Sequence, residues 1–221
     1  MLLSTAFFPP LEYFAKIAEG FTLSPDEVKP SLVWIEGCEI YQKQSYRNRF
    51  KFYAENGVQM VSVPIIHDGG THSIPIRDIR VDWDANWLIR CERAITSAYE
   101  SSAYFDYYKD ELFTILDSKP EKLFDLNMKI LEFFLRKTGI AAEVRITEEF
   151  TPFGSDRYGE DLRDVIHPKK QNDILERLSL KKPYFQVFAQ KHGFISNLSI
   201  MDLLFNEGPD SIIYLKNAIR K

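Results

Sequence analysis

The stretch "LLSTAFFPPLEYFAKIAEG", residues 2–20, decides the fold class. Residues 2–8 are apolar enough for a buried strand, and Pro9-Pro10 ends it. Leu11, Phe14, Ala15 and Ala18 then recur at helical spacing, and Gly20 closes the helix. A second buried strand follows in "SLVWIEG", residues 31–37. Strand, helix and strand in that order predict a βαβ unit with a right-handed crossover and a parallel pair. Its first turn lacks the glycines of a dinucleotide or P-loop site. Residues 21–30, with Pro25 and Pro30, read as a loop within the crossover.

Further on, "YQKQSYRNRFKFYAENG" (41–57) gathers four cations and three tyrosines with a single acid. Asn56-Gly57 is the preferred centre of a type I′ hairpin turn. Closing the turn there sets Phe52 opposite Val61, Phe50 opposite Val63 and Asn48 opposite Ile65, all on the core face because side chains alternate. Lys51 then faces Ser62, and Arg49 faces Pro64. Lys43, Arg47, Arg49 and Lys51 form a cationic row on the other face. Such a row repels itself unless an anion or neighbouring acids lie against it, and arginine's planar fork suits phosphate or carboxylate. Asn48, aimed among Phe and Val, needs a hydrogen-bond partner.

Three helices are expected next. One covers 84–103 with Asp84 as cap and Cys91 in its apolar stripe, a second covers about 107–117, and a third runs between Pro120 and Gly139. Residues 142–150 read as a strand and the polar 151–182 as a surface excursion. Two short helices broken at Gly208-Pro209 close the chain. The whole, 1–221, reads as one α/β domain whose mixed sheet, with a βαβ start and a hairpin at 46–65, is flanked by helices.

The 221 residues are 45% hydrophobic and 27% charged, ordinary for a globular chain. A net charge of −4 weighs against nucleic acid as the partner, so any basic site is local. No apolar run approaches the roughly 20 residues of a transmembrane segment. The N-terminus lacks the cationic region of a signal peptide. Cys38 and Cys91, far apart and outside any CxxC pattern, read as free thiols of a reducing compartment, which points to the cytoplasm.

Among candidate chemical groups, His67 and His72 flank "HDGG". With no third ligand at a metal-site spacing, the stretch reads as a polar loop and no metal is expected. His67 alone suits proton transfer near neutral pH. Cys91 reads as a structural thiol. In "NLSIMDLLFNEGP" (197–209), Ser199 and Asp202 have capping-box spacing, and no nucleophile-elbow glycines surround the serine. Small pockets of α/β folds draw on several loops at one sheet edge. The segment Asn197–Asp202 is therefore expected beside the hairpin, with Asp202 or Asn197 within reach of Arg49 or its neighbours. No cofactor can be named.

Together "FFPPLEYFAKIA", "YQKQSYRNRFK", "VSVPIIHDGG", "PIRDIRVD", "NWLIRCERAITSAYESSAYFDYY", "LFDLNMKILEFFLRKTGI" and "NLSIMDLLFNEGP" resemble, in order and spacing, the WbqC-like protein family. The resemblance implies a place in bacterial O-antigen and other surface-polysaccharide biosynthesis, with a glycyl-transferase role suggested for members. Its polar positions fall here on Tyr41, Lys43, Asn48, Arg49, His67, Trp87, Asn127, Asn197, Ser199 and Asp202. Departures are "LSTAFF" in place of a polar opening run, Cys91 where members often carry histidine, and a shorter, different 151–182.

Two readings follow. In the first, the chain transfers an acyl or aminoacyl group to an activated sugar, an anionic small molecule that is nucleotide- or lipid-linked. Lys43, Arg49 and Lys51 hold the phosphates, Tyr41, Tyr46 or Trp87 stacks on a ring, His67 and Asp202 serve catalysis, and Asn48, Asn197 and Ser199 complete the substrate site. In the second, the chain is a scaffold without chemistry, docking an anionic ligand or acidic partner through its basic hairpin.

Overall fold

In the computed structural model, residues 1–23, 27–66 and 73–217 are described. Strand β1 (Leu2–Ser4) leads to helix α1 (Leu11–Glu19). Two-residue strands β2 (Thr22–Leu23) and β3 (Val28–Lys29) pair antiparallel inside the crossover, and β4 (Ser31–Glu36) returns parallel to β1. The βαβ expectation is met. The first strand stops four residues early: Phe7 already donates its amide to the carbonyl of Tyr46, and Phe8 adopts a left-handed φ of 48°, a conformation that bulky residues rarely take. The bend sends both Phe7 and Phe8 into the core, where Phe8 stacks on Phe50 at 4.6 Å.

The hairpin is β5 (Arg49–Ala54) and β6 (Gly57–Ser62). It forms its own two-stranded sheet and does not join the parallel one. Its register differs by two residues from the expected one: Phe50 faces Val61, Phe52 faces Gln59, and Arg49 faces Ser62. A type I′ turn needs positive φ at both central residues, whereas Gly57 has φ 94° and Asn56 is not among the positive-φ residues. The turn is therefore Glu55-Asn56 followed by a left-handed glycine, as in the G1-bulge arrangement. A shift of two preserves the faces, so Phe50, Phe52 and Val63 are buried and Val61 packs against the core. Phe52→Ala should cost about 3–5 kcal/mol in a urea melt; a near-neutral change would remove Phe52 from the core.

Helix α2 (Trp87–Tyr99) starts after the expected Asp84. The Asp82 carboxylate accepts the amides of Asp84 and Ala85 at 3.2 Å and holds them in a turn. Helix α3 (Phe105–Asp117) matches its pattern. Helix α4 (Leu123–Thr138) begins three residues beyond Pro120, because Val81 donates to the carbonyl of Glu121 and Lys122 bridges Arg80. It ends at Gly139, whose φ is 74°. Strand β7 (Ala142–Ile146) then pairs parallel with β4, giving the order β1-β4-β7.

Residues 151–182 are no surface excursion. Leu2 donates to the carbonyl of Glu160 and accepts from Leu162, so the segment runs along the outer edge of β1. Leu162, Ile166, Ile174, Leu175, Leu178 and Leu180 enter the core, four of the last five within or beside the short helix α5 (Ile174–Arg177). Helices α6 (Ala189–His192), α7 (Ile200–Glu207) and α8 (Ser211–Asn217) complete the chain. No helix among the described residues is long and apolar enough to cross a membrane.

Candidate functional site

In a parallel α/β sheet, ligands are met at the carboxyl ends of the strands. Here that edge carries two buried ion pairs. Glu39 accepts from Arg47 Nε at 2.9 Å and Nη2 at 2.5 Å, and Arg47 also donates to Ser4 Oγ at 2.8 Å. At the end of β4, Glu36 accepts from Arg163 Nη1 at 3.1 Å, from Thr147 Oγ1 at 2.7 Å and from the amide of Thr151 at 3.1 Å. Arg163 is fixed further by Asp161 and by the carbonyl of Thr151 at 2.8 Å. The cationic row is thus broken. Arg47 is buried against an acid and has no charge to offer a ligand, the first correction to the expected anion clamp.

The free edge of β5 is closed by three different partners. Asn127 Nδ2 donates to the carbonyl of Arg47 at 2.8 Å, the amide of Ser199 donates to the carbonyl of Lys51 at 2.9 Å, and the amide of Tyr53 donates to the Tyr99 hydroxyl at 3.3 Å. Asn48 extends the ladder on the other edge: its Nδ2 donates to the carbonyl of Val63 at 3.0 Å, and its own carbonyl accepts from the amide of Val63 at 2.7 Å. Segment 197–202 does pack beside the hairpin. It also starts α1, whose N-cap position is Pro10 and has no side-chain cap. The amide of Leu11 donates to the carbonyl of Leu198 at 2.8 Å and that of Glu12 to Asn197 Oδ1 at 3.2 Å. Ser199 caps α7 through the amide of Met201 at 3.2 Å.

Asp202 does not reach back as a capping box would, nor does it pair with Arg49. It is only 1% exposed. One carboxylate oxygen accepts from the Tyr99 hydroxyl at 2.9 Å, the other from the Tyr184 hydroxyl at 2.5 Å and Gln186 Nε2 at 2.8 Å. Burial pushes its carboxyl up to about 6, and the three donors pull against that. Both tyrosines are driven well above their ordinary range by burial and then by the Asp202 charge. Such an arrangement ties α2, the 184–186 segment and α7 together. The geometry leaves no oxygen of Asp202 open to a substrate, so its catalytic assignment gives way to that of an anchor.

Of the residues singled out by sequence, four of the described ones remain on the outer side of β5 and its approach. Tyr41 is buried, its hydroxyl raised by burial and opposed by Arg49 and then Arg47. Lys43 is exposed, and Arg49 and Lys51 are half-buried. Arg49 Nη1 touches Met60 Sδ at 3.7 Å at the surface, while its Nε is buried with no hydrogen-bond partner among the described residues. Lys51 faces a group that the sequence did not single out, Glu12, 3% exposed in the first turn of α1. Burial raises the Glu12 carboxyl; Asn172, whose Nδ2 donates to Oε2 at 2.8 Å, Asn197 and Lys51 oppose the rise. Tyr46 lies close enough that Glu12, after burial, raises its hydroxyl too. Lys169 bonds Gln44 and brings a further cation to the rim, with His167, lowered by burial and then by Arg47. The one hint of Glu12 in the sequence is an acid inside the apolar run "PPLEYF"; its neighbours Asn172 and Asn197 come from far along the chain.

Beneath this face the cavity lined by Ser4, Thr5, Tyr13, Tyr46 and Arg47 measures only about 10 Å³, room for one water. Segment 67–72, with His67 and His72, lies outside the described residues; it leaves Ile66 and returns at Ser73, one residue before the Ile74 carbonyl that accepts from the amide of Tyr41. Trp87 is away from this cluster. Its Nε1 donates to the carbonyl of Asp82 at 3.1 Å and its ring lies 5.1 Å from Trp83, at the end of an open groove between α2 and the hairpin. Cys91 is buried as expected and its thiol is pushed up to about 12. Cys38 is half-buried and donates to the carbonyl of Glu148 at 3.2 Å.

The class so defined is a single α/β unit with a parallel three-stranded sheet and a separate hairpin that carries a polar, cation-bearing face. The model of the WbqC-like protein family matches residues 5–214, and the chain belongs to that family. It is 26% identical over 197 residues to an uncharacterized protein of Mycobacterium tuberculosis, Rv1507c, spanning 80% of this chain and 84% of the relative. No solved structure matches it.

Proposed function

We propose that the chain is a cytoplasmic enzyme of surface-polysaccharide assembly that transfers a small acyl or aminoacyl group, glycyl among them, to an activated sugar. The observation that carries this reading is the pairing of opposites on one face. Lys51, half-buried and with no ion-pair partner in hydrogen-bond range among the described residues, faces Glu12, a carboxyl raised by burial, and the half-buried Arg49 lies two residues before it on the same side of β5. Charge-assisted bonds from arginine and lysine suit the phosphates of a nucleotide- or lipid-linked sugar. A carboxyl with a raised pKa is suited to take a proton near neutral pH. Lys43 lies at the rim, and Tyr41 supplies an aromatic wall. The sugar's amine or hydroxyl attacks the carbonyl of an activated acyl donor, the new C–N or C–O bond forms, and the bond to the leaving group breaks. Glu12 takes the proton from the attacking group and returns it to the leaving group. His67 is nominated for the same role by the sequence alone.

Calorimetric titration with nucleoside-diphosphate sugars tests the anion site. Arg49→Ala and Lys51→Ala should each weaken binding roughly 10-fold or more, the loss expected of one charge-assisted contact. Equal affinity in wild type and both variants would remove the assignment. Comparing Glu12→Gln with His67→Asn in a transfer assay then decides which group moves the proton.

The cavity that the described residues form beneath the face holds only about 10 Å³, which favours a second reading, a module that docks an anionic partner without chemistry. Binding that vanishes at high salt, with no turnover of any sugar donor, would support it.

A further inference from the structure

The two edges of the parallel sheet are treated differently. The outer edge of β1 is covered by residues 160–162. On the opposite side no described residue pairs with the outer edge of β7, which has no proline or bulge to blunt it. Ser31 donates to the carbonyl of Ala141 and Thr147 donates to that of Ile35, each at 3.0 Å. Because parallel ladders alternate, the N–H and C=O groups of Ala142, Val144 and Ile146 point to the open edge. Beside them runs an apolar groove of about 590 Å³ between β7 and α4, walled by Leu131, Leu135, Ile140 and Val144.

We infer that β7 is the pairing edge for a second copy of this chain. The sequence of the strand, "AEVRI", is self-complementary about Val144. An antiparallel match across a two-fold axis sets Val144 against its own copy and Ala142 against Ile146, the residues whose backbone groups face outward, and each rung makes a reciprocal pair of hydrogen bonds. The remaining rung sets Glu143 against Arg145 twice, at the close, non-hydrogen-bonded positions where opposite charges attract most. Within one chain those two side chains already pair, Arg145 Nε to Glu143 Oε1 at 2.7 Å, and both are exposed. In the dimer they exchange partners across the axis. The three-stranded sheet becomes continuous with its copy, and the two grooves beside α4 form an apolar centre for the interface.

Light scattering and sedimentation on the full chain test this. Wild type should be a dimer. Glu143→Arg, which opposes like charges at two symmetric rungs, should weaken the dimer about tenfold or more, and Glu143→Arg with Arg145→Glu should restore it. Val144→Pro removes an N–H that β4 does not use and should give a monomer with an unchanged cooperative urea melt. A wild-type monomer at the highest soluble concentration overturns the inference. So does a dimer that none of these variants affects. Neither outcome bears on the anion site, which lies on the hairpin.

Discussion

Replacing Arg163 by methionine should destabilise the protein by about 3–5 kcal/mol, the usual cost of removing one partner of a buried ion pair. Its partner Glu36 has no exposed surface, nor has the Arg163 side chain. Methionine keeps much of the arginine's volume, so the loss reports an uncompensated charge more than a cavity. The consequence spreads further than one bond, because Arg163 also holds Asp161 and the carbonyl of Thr151 and so fixes the segment that covers β1. Adding Glu36→Gln should regain a substantial part of the stability, since the amide still accepts hydrogen bonds but carries no charge. Urea melts of wild type, both single variants and the double variant check this. A single Arg163→Met that costs less than about 1 kcal/mol would mean that the Glu36 carboxylate finds water.

Asp202→Ala should be comparably damaging, by about 3–5 kcal/mol, since hydrogen bonds to a charged group contribute roughly 1.5–3 kcal/mol each and three donors lose their acceptor. The pH dependence has a defined sign. Burial raises the folded-state carboxyl from 3.8 to about 6, so the folded chain binds more protons than the unfolded chain in that interval, and stability falls as pH rises through it. The contribution of Asp202 is fully present below about pH 4 and diminished above about pH 6. The gap in stability between wild type and Asp202→Ala should accordingly narrow by up to ~3 kcal/mol from pH 4 to pH 7. A gap independent of pH would mean that Tyr99, Tyr184 and Gln186 hold the carboxylate at its ordinary value.

The local elements were legible where their signals are local. The βαβ start follows from apolar runs and the Pro9-Pro10 break, and the sides of the hairpin follow from alternation, which a register shift of two leaves intact. The register itself was misplaced because Asn56-Gly57 fits two turn geometries, told apart only by the φ of Asn56. Partnership was not legible. Arg47 reads as a surface cation until Glu39 is folded over it, and Glu12 reads as a solvated helix acid until Asn172 and Asn197 arrive from far along the chain. The same non-locality hid the work of the "NLSIMD" motif. Its polar residues start α1, cap α7, close the edge of β5 and anchor two tyrosines, duties that look like a binding site when read from the sequence alone.

On the proposed reading Arg49 and Lys51 meet the anionic ligand, whereas Arg47 and Arg163 are tied into buried ion pairs. The most direct measurement is the arginine Nε–H region of a ¹⁵N–¹H spectrum during titration with a nucleoside-diphosphate sugar, with Arg49→Ala assigning the signal. A saturable shift of the Arg49 resonance is expected, with those of Arg47 and Arg163 unmoved. Saturable binding that leaves Arg49 still, or that moves Arg47 or Arg163 instead, would contradict it.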